Sequence, residues 1–181
     1  SETSAVYAAL LTPQGKIVYD FLICAASDIV RLDCPKEYAD DLTSRLNKYR
    51  LRAKVTVTRN TGYSVVALPA PAKLTLPDPR LAELGYRAIV PNADLETWIR
   101  EQNVSPGTDA SYHIARLKFG VPDSKTDIPP ETYFPLDCNF EELRGVDFDK
   151  GCYVGQELTA RMKHRATARR RMLPVSAASH L

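Results

Sequence analysis

The sequence predicts an α+β fold in which antiparallel sheets pack against helices. Residues 5–33 read as consecutive short apolar runs separated by turn residues, which is typical of antiparallel strands. Residues 35–49 instead repeat apolar side chains at helical spacing. A chain of 181 residues, 44% of them hydrophobic, is long enough to bury a substantial core. It contains no apolar run long enough to span a bilayer, so no membrane contact is expected.

The first elements are three predicted strands. Residues 7–11 and 16–24 are rich in apolar and β-branched side chains on either side of a Thr-Pro-Gln-Gly turn, and residues 29–33 continue the pattern. Asp20 is the exception, because it is ionisable and stands among apolar and aromatic neighbours. It is either an outward-facing residue on a half-exposed strand or a carboxylate at the mouth of a pocket.

The middle of the chain mixes helices with further strands. Residues 35–49 predict a helix that begins near a proline and carries an apolar stripe. Residues 53–58 and 62–68 alternate in polarity and predict a hairpin. The remaining elements are a strand over 84–90, a helix over 94–102 with Trp98 as a core anchor, and a helix over 108–118 with Tyr112, Ile114 or Ala115, and Leu117 facing inward.

The net charge of +2 conceals an asymmetry along the chain. Residues 150–181 carry a net charge of +6, whereas the other 149 residues carry −4. The triple arginine at 169–171 lies in this basic part. Such a segment can contact a nucleic acid, a phosphate or an acidic small molecule.

The cysteine pattern indicates a reducing environment. The four cysteines form no Cys-x-x-Cys pair, so neither a zinc site nor a disulfide framework is suggested. The first residues contain neither a basic region nor an apolar signal segment. A cytoplasmic setting is therefore expected. The four cysteines are Cys24, Cys34, Cys138 and Cys152.

The most informative stretch is Lys-Gly-Cys-Tyr-Val-Gly-Gln-Glu at residues 150–157. Gly151 and Gly155 bracket a short loop, and good helix formers follow. Cys152 thus precedes a helix N-terminus and lies two residues from Lys150, and both features favour the nucleophilic thiolate. Most free cysteines are small buried hydrophobes, which is the alternative interpretation.

This stretch, with Arg161 four residues beyond Glu157, closely resembles the signature of the YgfZ family of folate-binding proteins. Members of that family are related to the glycine-cleavage aminomethyltransferase and serve iron–sulfur cluster assembly or repair. Residues 10–22 resemble the strand-turn-strand of the aminomethyltransferases, and residues 116–122 resemble a helix end and glycine–proline turn found in both groups.

The resemblance implies a domain organisation. Residues 1–165 are expected to form a folate-binding core similar to the aminomethyltransferase domain. Residues 166–181 are expected to form a basic segment that leads toward a missing or truncated C-terminal β-barrel. Family members also begin with a further strand-helix-turn unit, which this sequence is expected to lack.

The resemblance also implies a site for tetrahydrofolate or a derivative. Asp20 falls on the position of an aspartate that faces the folate, and Asp137 falls in a Pro-x-Asp-x-Asn pattern ahead of the cysteine loop. A carboxylate beside an amide suits the amino-pyrimidinone edge of a pterin. The alternative for Asp137 is a turn or a helix N-cap. The implied folate contacts are Asp20, Asp137, Asn139, Lys150, Gln156, Glu157 and Arg161.

The expected function is that of a tetrahydrofolate-binding accessory protein for iron–sulfur cluster assembly or repair, with Cys152 as the reactive or transiently ligating thiol. One cysteine cannot hold a cluster alone, so no stable cluster is expected on the isolated chain, and ligation is shared with client or carrier proteins. One alternative is a folate-dependent aminomethyltransferase, although those enzymes usually carry an acidic residue at this loop position. Another is a tRNA-binding accessory protein that uses the basic segment. Kinship of fold does not establish transfer chemistry.

Overall fold

The computed structural model describes residues 4–26, 28–165 and 170–176. These ranges contain two three-stranded antiparallel sheets and four α-helices, so the predicted α+β class is confirmed. None of the helices in these ranges is both long and apolar enough to cross a membrane. Of the predicted basic segment, residues 166–169 and 177–181 lie outside the described residues, and the division at residue 165 stays a prediction.

The first sheet contains strands β1 (Ala5–Leu11), β2 (Ile17–Ala26) and β3 (Ile29–Asp33), in that order. The central strand β2 is buried along most of its length, because both of its faces are covered. Helix α1 (Ala39–Tyr49), which follows a 3-10 turn, covers one face. Leu42 of this helix is buried at the contact, as the apolar stripe predicts.

The second sheet contains strands β4 (Tyr63–Leu68), β5 (Leu76–Pro77) and β6 (Tyr86–Pro91), in the order β4-β6-β5. Helix α2 (Leu95–Glu101) packs on this sheet through Trp98, which is buried as predicted.

The predicted hairpin of residues 53–58 and 62–68 is wrong. Strand β4 pairs with β6 instead, and residues 53–58 form no strand. The carbonyl of Val57 accepts a hydrogen bond from the side chain of Asn47 at 3.0 Å, and that of Val55 accepts one from Arg50 at 2.7 Å. Side chains at the end of α1 thus take up backbone acceptors that a strand partner would have used.

Helix α3 (Asp109–Lys118) is capped by Thr108. The prediction that Ile114 and Leu117 face inward is wrong, because they are 67% and 40% exposed. The buried residue is Arg116, which is 1% exposed.

Acceptors on the loop that follows α3 surround the Arg116 guanidinium, although its Nε forms no hydrogen bond within the described residues. It pairs with Asp123 at 3.1 Å and with Asp127, and it donates a hydrogen bond to Thr126 Oγ1 at 2.6 Å. The amphipathic pattern cannot reveal this arrangement, because apolar periodicity excludes a charged residue from the core face.

Two arginines, the buried Arg80 and the half-buried Arg87, join the sheets. Arg87 of β6 contacts Asp33 of β3 at 2.6 Å, while Arg80 forms two hydrogen bonds to Asp78, at 2.9 and 2.7 Å. Both guanidiniums also donate to the hydroxyl of Tyr112. Burial acts to raise the pKa of Asp78, but the neighbouring guanidiniums outweigh this effect and lower it. The carboxylate therefore stays ionised in the interior.

The last helix of the described ranges is α4 (Gln156–His164), which confirms the helix predicted after Gly155. Before it, a 3-10 helix (Pro135–Cys138) precedes residues 140–145, which form turns. Residues 170–176 have no regular secondary structure, and the Met172 N–H donates to the carbonyl of Asp137 at 3.0 Å. This contact holds Met172 of the basic segment against the core.

We predict that Arg116→Met destabilises the protein by about 3 kcal/mol, because it leaves Asp123 and Asp127 without their cation. Urea denaturation measures the free energy of unfolding. Arg100→Met is the control, because Arg100 is exposed on α2 and is expected to change stability by no more than about 0.5 kcal/mol. Equal effects of the two substitutions would contradict a structural role for Arg116.

Candidate functional site

Asp20 lies in the middle of β2 and is buried, with only 5% of its surface exposed. Its Oδ2 accepts a hydrogen bond from the Tyr7 hydroxyl at 2.9 Å. Its Oδ1 accepts one from the backbone N–H of Ser124, also at 2.9 Å. The interpretation of Asp20 as an outward-facing residue is therefore wrong, and the carboxylate is an interior hydrogen-bond acceptor.

The hydroxyl of Tyr7 is held in its protonated form. Burial raises its pKa well above the ordinary value, and the charge of Asp20 raises it further, although Arg80 acts in the opposite direction. The Arg80 guanidinium lies 5.6 Å from the centre of the Tyr7 ring. The centroids of the Tyr7 and Phe140 rings are 4.7 Å apart. Tyr7 is thus a fixed donor to Asp20.

Asp137 belongs to the 3-10 helix and is 7% exposed. Its Oδ2 accepts a long hydrogen bond from the Phe134 N–H at 3.4 Å. The side chain thus binds the backbone at the N-terminal end of its own 3-10 helix. Asn139 adopts a left-handed conformation, and its amide group donates to the carbonyl of Met172 at 2.8 Å. Asn139 therefore helps to hold the segment of residues 170–176.

Cys138 connects the two aspartates of the predicted folate site. Burial, and after it the charges of Asp137 and Asp20, raise the pKa of its thiol to about 12. Cys138 follows Asp137 in the chain and packs in the same core cluster as Tyr7, which donates to Asp20, so both carboxylates border this part of the interior. Cys138 itself is fully buried and serves the core.

Neither of the two cavities that the structure describes is lined by Asp20 or Asp137. The larger has a volume of about 580 Å³ and lies between residues 10–14 and α1. Its wall includes charged side chains of both signs, among them Arg45 and Glu131. The two aspartates are thus closed off from solvent in this conformation.

Cys152 is exposed, so its interpretation as a buried hydrophobe is wrong. The loop is held on both sides of the thiol. Asp147 Oδ1 accepts hydrogen bonds from two following backbone N–H groups, at 2.8 and 3.1 Å, and Gln156 Oε1 accepts one from the Tyr153 N–H at 3.3 Å. The Lys150 ammonium lies 5.0 Å from the centre of the Tyr153 ring. An ordered loop thus presents the thiol at the surface.

A backbone contact between two glycines joins this loop to the β1–β2 turn. Gly155, the N-cap of α4, has a φ of +83°, and Gly15 in the turn has a φ of +81°. A Cβ atom on Gly155 would lie 2.6 Å from the Thr12 carbonyl oxygen and 2.7 Å from Gly15 Cα. The two stretches that carry the family resemblance therefore meet, and no side chain fits between them.

The other predicted folate contacts lie at the surface. Arg161 and Glu157 pair at 3.0 Å one turn apart on α4, with 51% and 87% of their side chains exposed. Lys150 is exposed as well. Within the described ranges, no hydrogen bond or ion pair joins these three residues to Asp20 or Asp137. The predicted set thus separates into an interior group and a surface group.

The arginines at 169–171 differ from one another. Arg171 donates to the carbonyl of Leu136 at 2.8 Å and pairs with Glu142 at 3.1 Å. Arg170 is exposed, and Arg169 lies outside the described residues. In the part of the chain that the structure describes, no three His, Cys, Asp or Glu side chains come together to hold a metal ion.

Comparison with known proteins gives one clear result. No protein-family model matches the chain. The "Iron-sulfur cluster assembly factor IBA57 homolog, mitochondrial" of Mycosarcoma maydis is 34% identical over 186 residues, which cover 94% of this chain and 46% of that protein. The chain is similar to iron–sulfur cluster assembly factors. The mouse and human IBA57 proteins are 32% and 33% identical over 201 residues, covering 94% of this chain and 53% of each relative.

The names of the IBA57 relatives correct one prediction and agree with another. They place these relatives in mitochondria, so the cytoplasmic setting expected from the sequence is wrong. Unpaired cysteines distinguish a reducing compartment from an oxidising one, but they do not distinguish two reducing compartments. The names agree with the iron–sulfur part of the family resemblance and do not mention folate or tRNA. The chain spans about half the length of these relatives.

We predict that Gly155→Ala destabilises the protein by about 1–3 kcal/mol, because the new Cβ meets Thr12 and Gly15 and the backbone has a positive φ. Urea denaturation provides the measurement. Gly151→Ala, in the same loop, is the matched control, because nothing lies within 4 Å of its added Cβ. If Gly151→Ala were as destabilising as Gly155→Ala, the glycine contact would not be the cause.

The raised pKa of Tyr7 predicts a loss of stability in alkali. Its stabilising contribution is complete below the ordinary pKa of 10.0 and is lost as pH rises toward the higher pKa of the folded state. Above pH 10, the stability difference between the wild type and Tyr7→Phe should shrink by up to about 1.4 kcal/mol per pH unit. Urea titrations at pH 9, 10 and 11 test this, with the exposed Tyr49→Phe as control. A constant difference would be contrary to the expectation.

Proposed function

We propose that this chain is a tetrahydrofolate-binding part of an iron–sulfur cluster assembly or repair factor, and that Cys152 is the thiol through which it acts. One observation carries the proposal: the ordered loop that exposes Cys152 is in backbone contact with the β1–β2 hairpin that contains Asp20. Similarity to proteins named as iron–sulfur cluster assembly factors supports the cluster as cargo.

The interior group supplies recognition of the pterin. A carboxylate in an apolar environment binds N–H donors strongly, and the amino-pyrimidinone edge of a pterin presents such donors. Asp20 is the principal acceptor in this proposal, and Asp137 is the second carboxylate of the same region. Asn139 supports the site by holding the segment around Met172.

The surface group supplies the second half of the folate site. The glutamate tail of a folate is anionic, and Lys150 and Arg161 carry the cations that would bind it. Gln156 holds the loop backbone, and Glu157 orients Arg161 through their ion pair. In this arrangement the tail extends along the loop, toward the exposed thiol.

Cys152 gives the chain a way to act on a cluster. A thiolate ligates iron, but a cluster is commonly held by four ligands, so the other three must come from elsewhere. Cys152 therefore ligates the cluster transiently, together with residues of a client or carrier protein. The chain binds the folate, whereas the cluster is a cargo that passes through a shared site.

Calorimetric titration with tetrahydrofolate under anaerobic conditions tests this function. We expect the wild type to bind, Asp20→Asn to weaken the affinity at least about tenfold through loss of a charged acceptor, and Cys152→Ala to bind like the wild type. The exposed Asp28→Asn controls for the loss of one negative charge. Thermal unfolding of each variant establishes that it is folded.

Two outcomes would contradict the proposal. In the first, the wild type does not bind tetrahydrofolate. In the second, Asp20→Asn binds as well as Asp28→Asn does. The cysteine has its own readout, because Cys152→Ala should keep the folate and lose transfer of a cluster to an apoprotein acceptor. Unchanged transfer would remove the thiol from the function and leave folate binding in place.

A further inference from the structure

Ser124 covers the Asp20 carboxylate. It lies in the loop after α3, is 2% exposed, and donates its backbone N–H to Asp20 Oδ1 at 2.9 Å. In return, the Asp20 N–H reaches Ser124 Oγ at 3.5 Å. Because Tyr7 already occupies Oδ2, both oxygens are engaged within the protein. Each oxygen can accept a further hydrogen bond, but Asp20 is only 5% exposed, so a ligand reaches the carboxylate when one of these two donors moves aside.

Ser124 is the donor that can move. Tyr7 stands on β1, which pairs with β2 along its whole length, and its ring packs against Phe140 and Arg80. The loop at Ser124 has weaker attachments. The Ser124 carbonyl accepts a hydrogen bond from the Tyr38 hydroxyl at 3.2 Å. The side chain of the next residue, Lys125, forms a solvent-exposed ion pair, and such pairs contribute little. Its N–H donates to Asp123 Oδ1 at 2.8 Å, which is a contact within the same loop.

The flanks of Ser124 are fixed by Arg116. This buried guanidinium binds Asp123 on one side of Ser124, and Thr126 and Asp127 on the other. An opening that exposes Asp20 is therefore confined to the short stretch around Ser124, and the rest of the loop stays in place.

We propose that Ser124 is a built-in competitor for the Asp20 carboxylate, and that a reduced folate binds when an N–H of its pyrimidine ring replaces the Ser124 N–H. The inference rests on the proposed function and adds the step by which the ligand enters. The Ser124 N–H is a donor of the type that the pterin edge presents. Only molecules in which the loop is open can bind, so the apparent affinity is the affinity of the open form multiplied by the open fraction.

Removing the Tyr38 hydroxyl loosens the closed loop without touching Asp20. Tyr38→Phe keeps the ring, which stacks on Tyr19 with 4.5 Å between centroids, and deletes the hydrogen bond to Ser124. Losing one such bond should increase the open fraction about fivefold, so tetrahydrofolate should bind about fivefold more tightly and associate faster. Tyr19→Phe is the matched control, because its hydroxyl in the same stacked pair contacts Asp41 and not the loop.

Calorimetry and stopped-flow association of tetrahydrofolate with the 181-residue chain measure these effects. Tighter and faster binding by Tyr38→Phe, with Tyr19→Phe equal to the wild type, supports the inference. Binding that is the same in all three proteins overturns it and leaves the proposed folate site standing. If neither the wild type nor Tyr38→Phe binds, both the folate site and the inference fall.

Hydrogen exchange of the Ser124 amide supplies a second readout. The inference requires that saturating tetrahydrofolate removes the protection that Asp20 gives to this amide. It also requires that the amides of strand β2 stay protected, since the strand does not move. A Ser124 amide that keeps its protection in the complex would show that the folate does not take its place.

Discussion

The buried charge network between the two sheets is the interaction on which the structure depends most. A three-stranded sheet has too few strands to exclude water from both of its faces by itself. Here the two sheets share no strand, and Arg87 of β6 pairs with Asp33 of β3 in the space between them. Arg80 and Asp78 form the second pair, and both arginines meet at Tyr112 of α3. Any one of these charges left alone would be costly, so the sheets and α3 keep one relative arrangement.

The interior of the candidate site extends from this network. Arg80 lies over the ring of Tyr7, Tyr7 donates to Asp20, and Asp20 accepts from Ser124. An arginine in the inter-sheet space thus influences the carboxylate that is proposed to bind the pterin. The exposed thiol belongs to a different part of the surface, and the contact of Gly155 with Gly15 and Thr12 joins its loop to the β1–β2 hairpin. That contact is made by backbone atoms, so it fixes the loop relative to the hairpin without depending on any side chain.

Local patterns predict the elements well and the long-range polar contacts poorly. The strands around Asp20, helix α1 and helix α4 all follow from apolar periodicity and turn residues, which act over a few neighbours. Residues 53–58 alternate like a strand, yet whether a strand forms depends on a partner, and α1 takes up its carbonyls instead. Asp20 and Ser124 are 104 positions apart in the sequence, and no pattern near Ser124 predicts that they are in contact. The burial of Arg116 could not be predicted, because the core face of a helix is recognised by its apolar residues and Arg116 is charged.

The four cysteines are all within the described residues, and they differ in a way that has a practical use. Burial raises the pKa of Cys34 to about 11 and that of Cys138 to about 12, and Cys24 is buried in the first sheet. Cys152 alone is exposed. Cys34 is half-buried, so a maleimide dye at neutral pH is expected to attach first at Cys152 in the native protein, without any cysteine being replaced. Since Trp98 is the only tryptophan, energy transfer from its indole to that dye gives a ruler between α2 and the thiol loop.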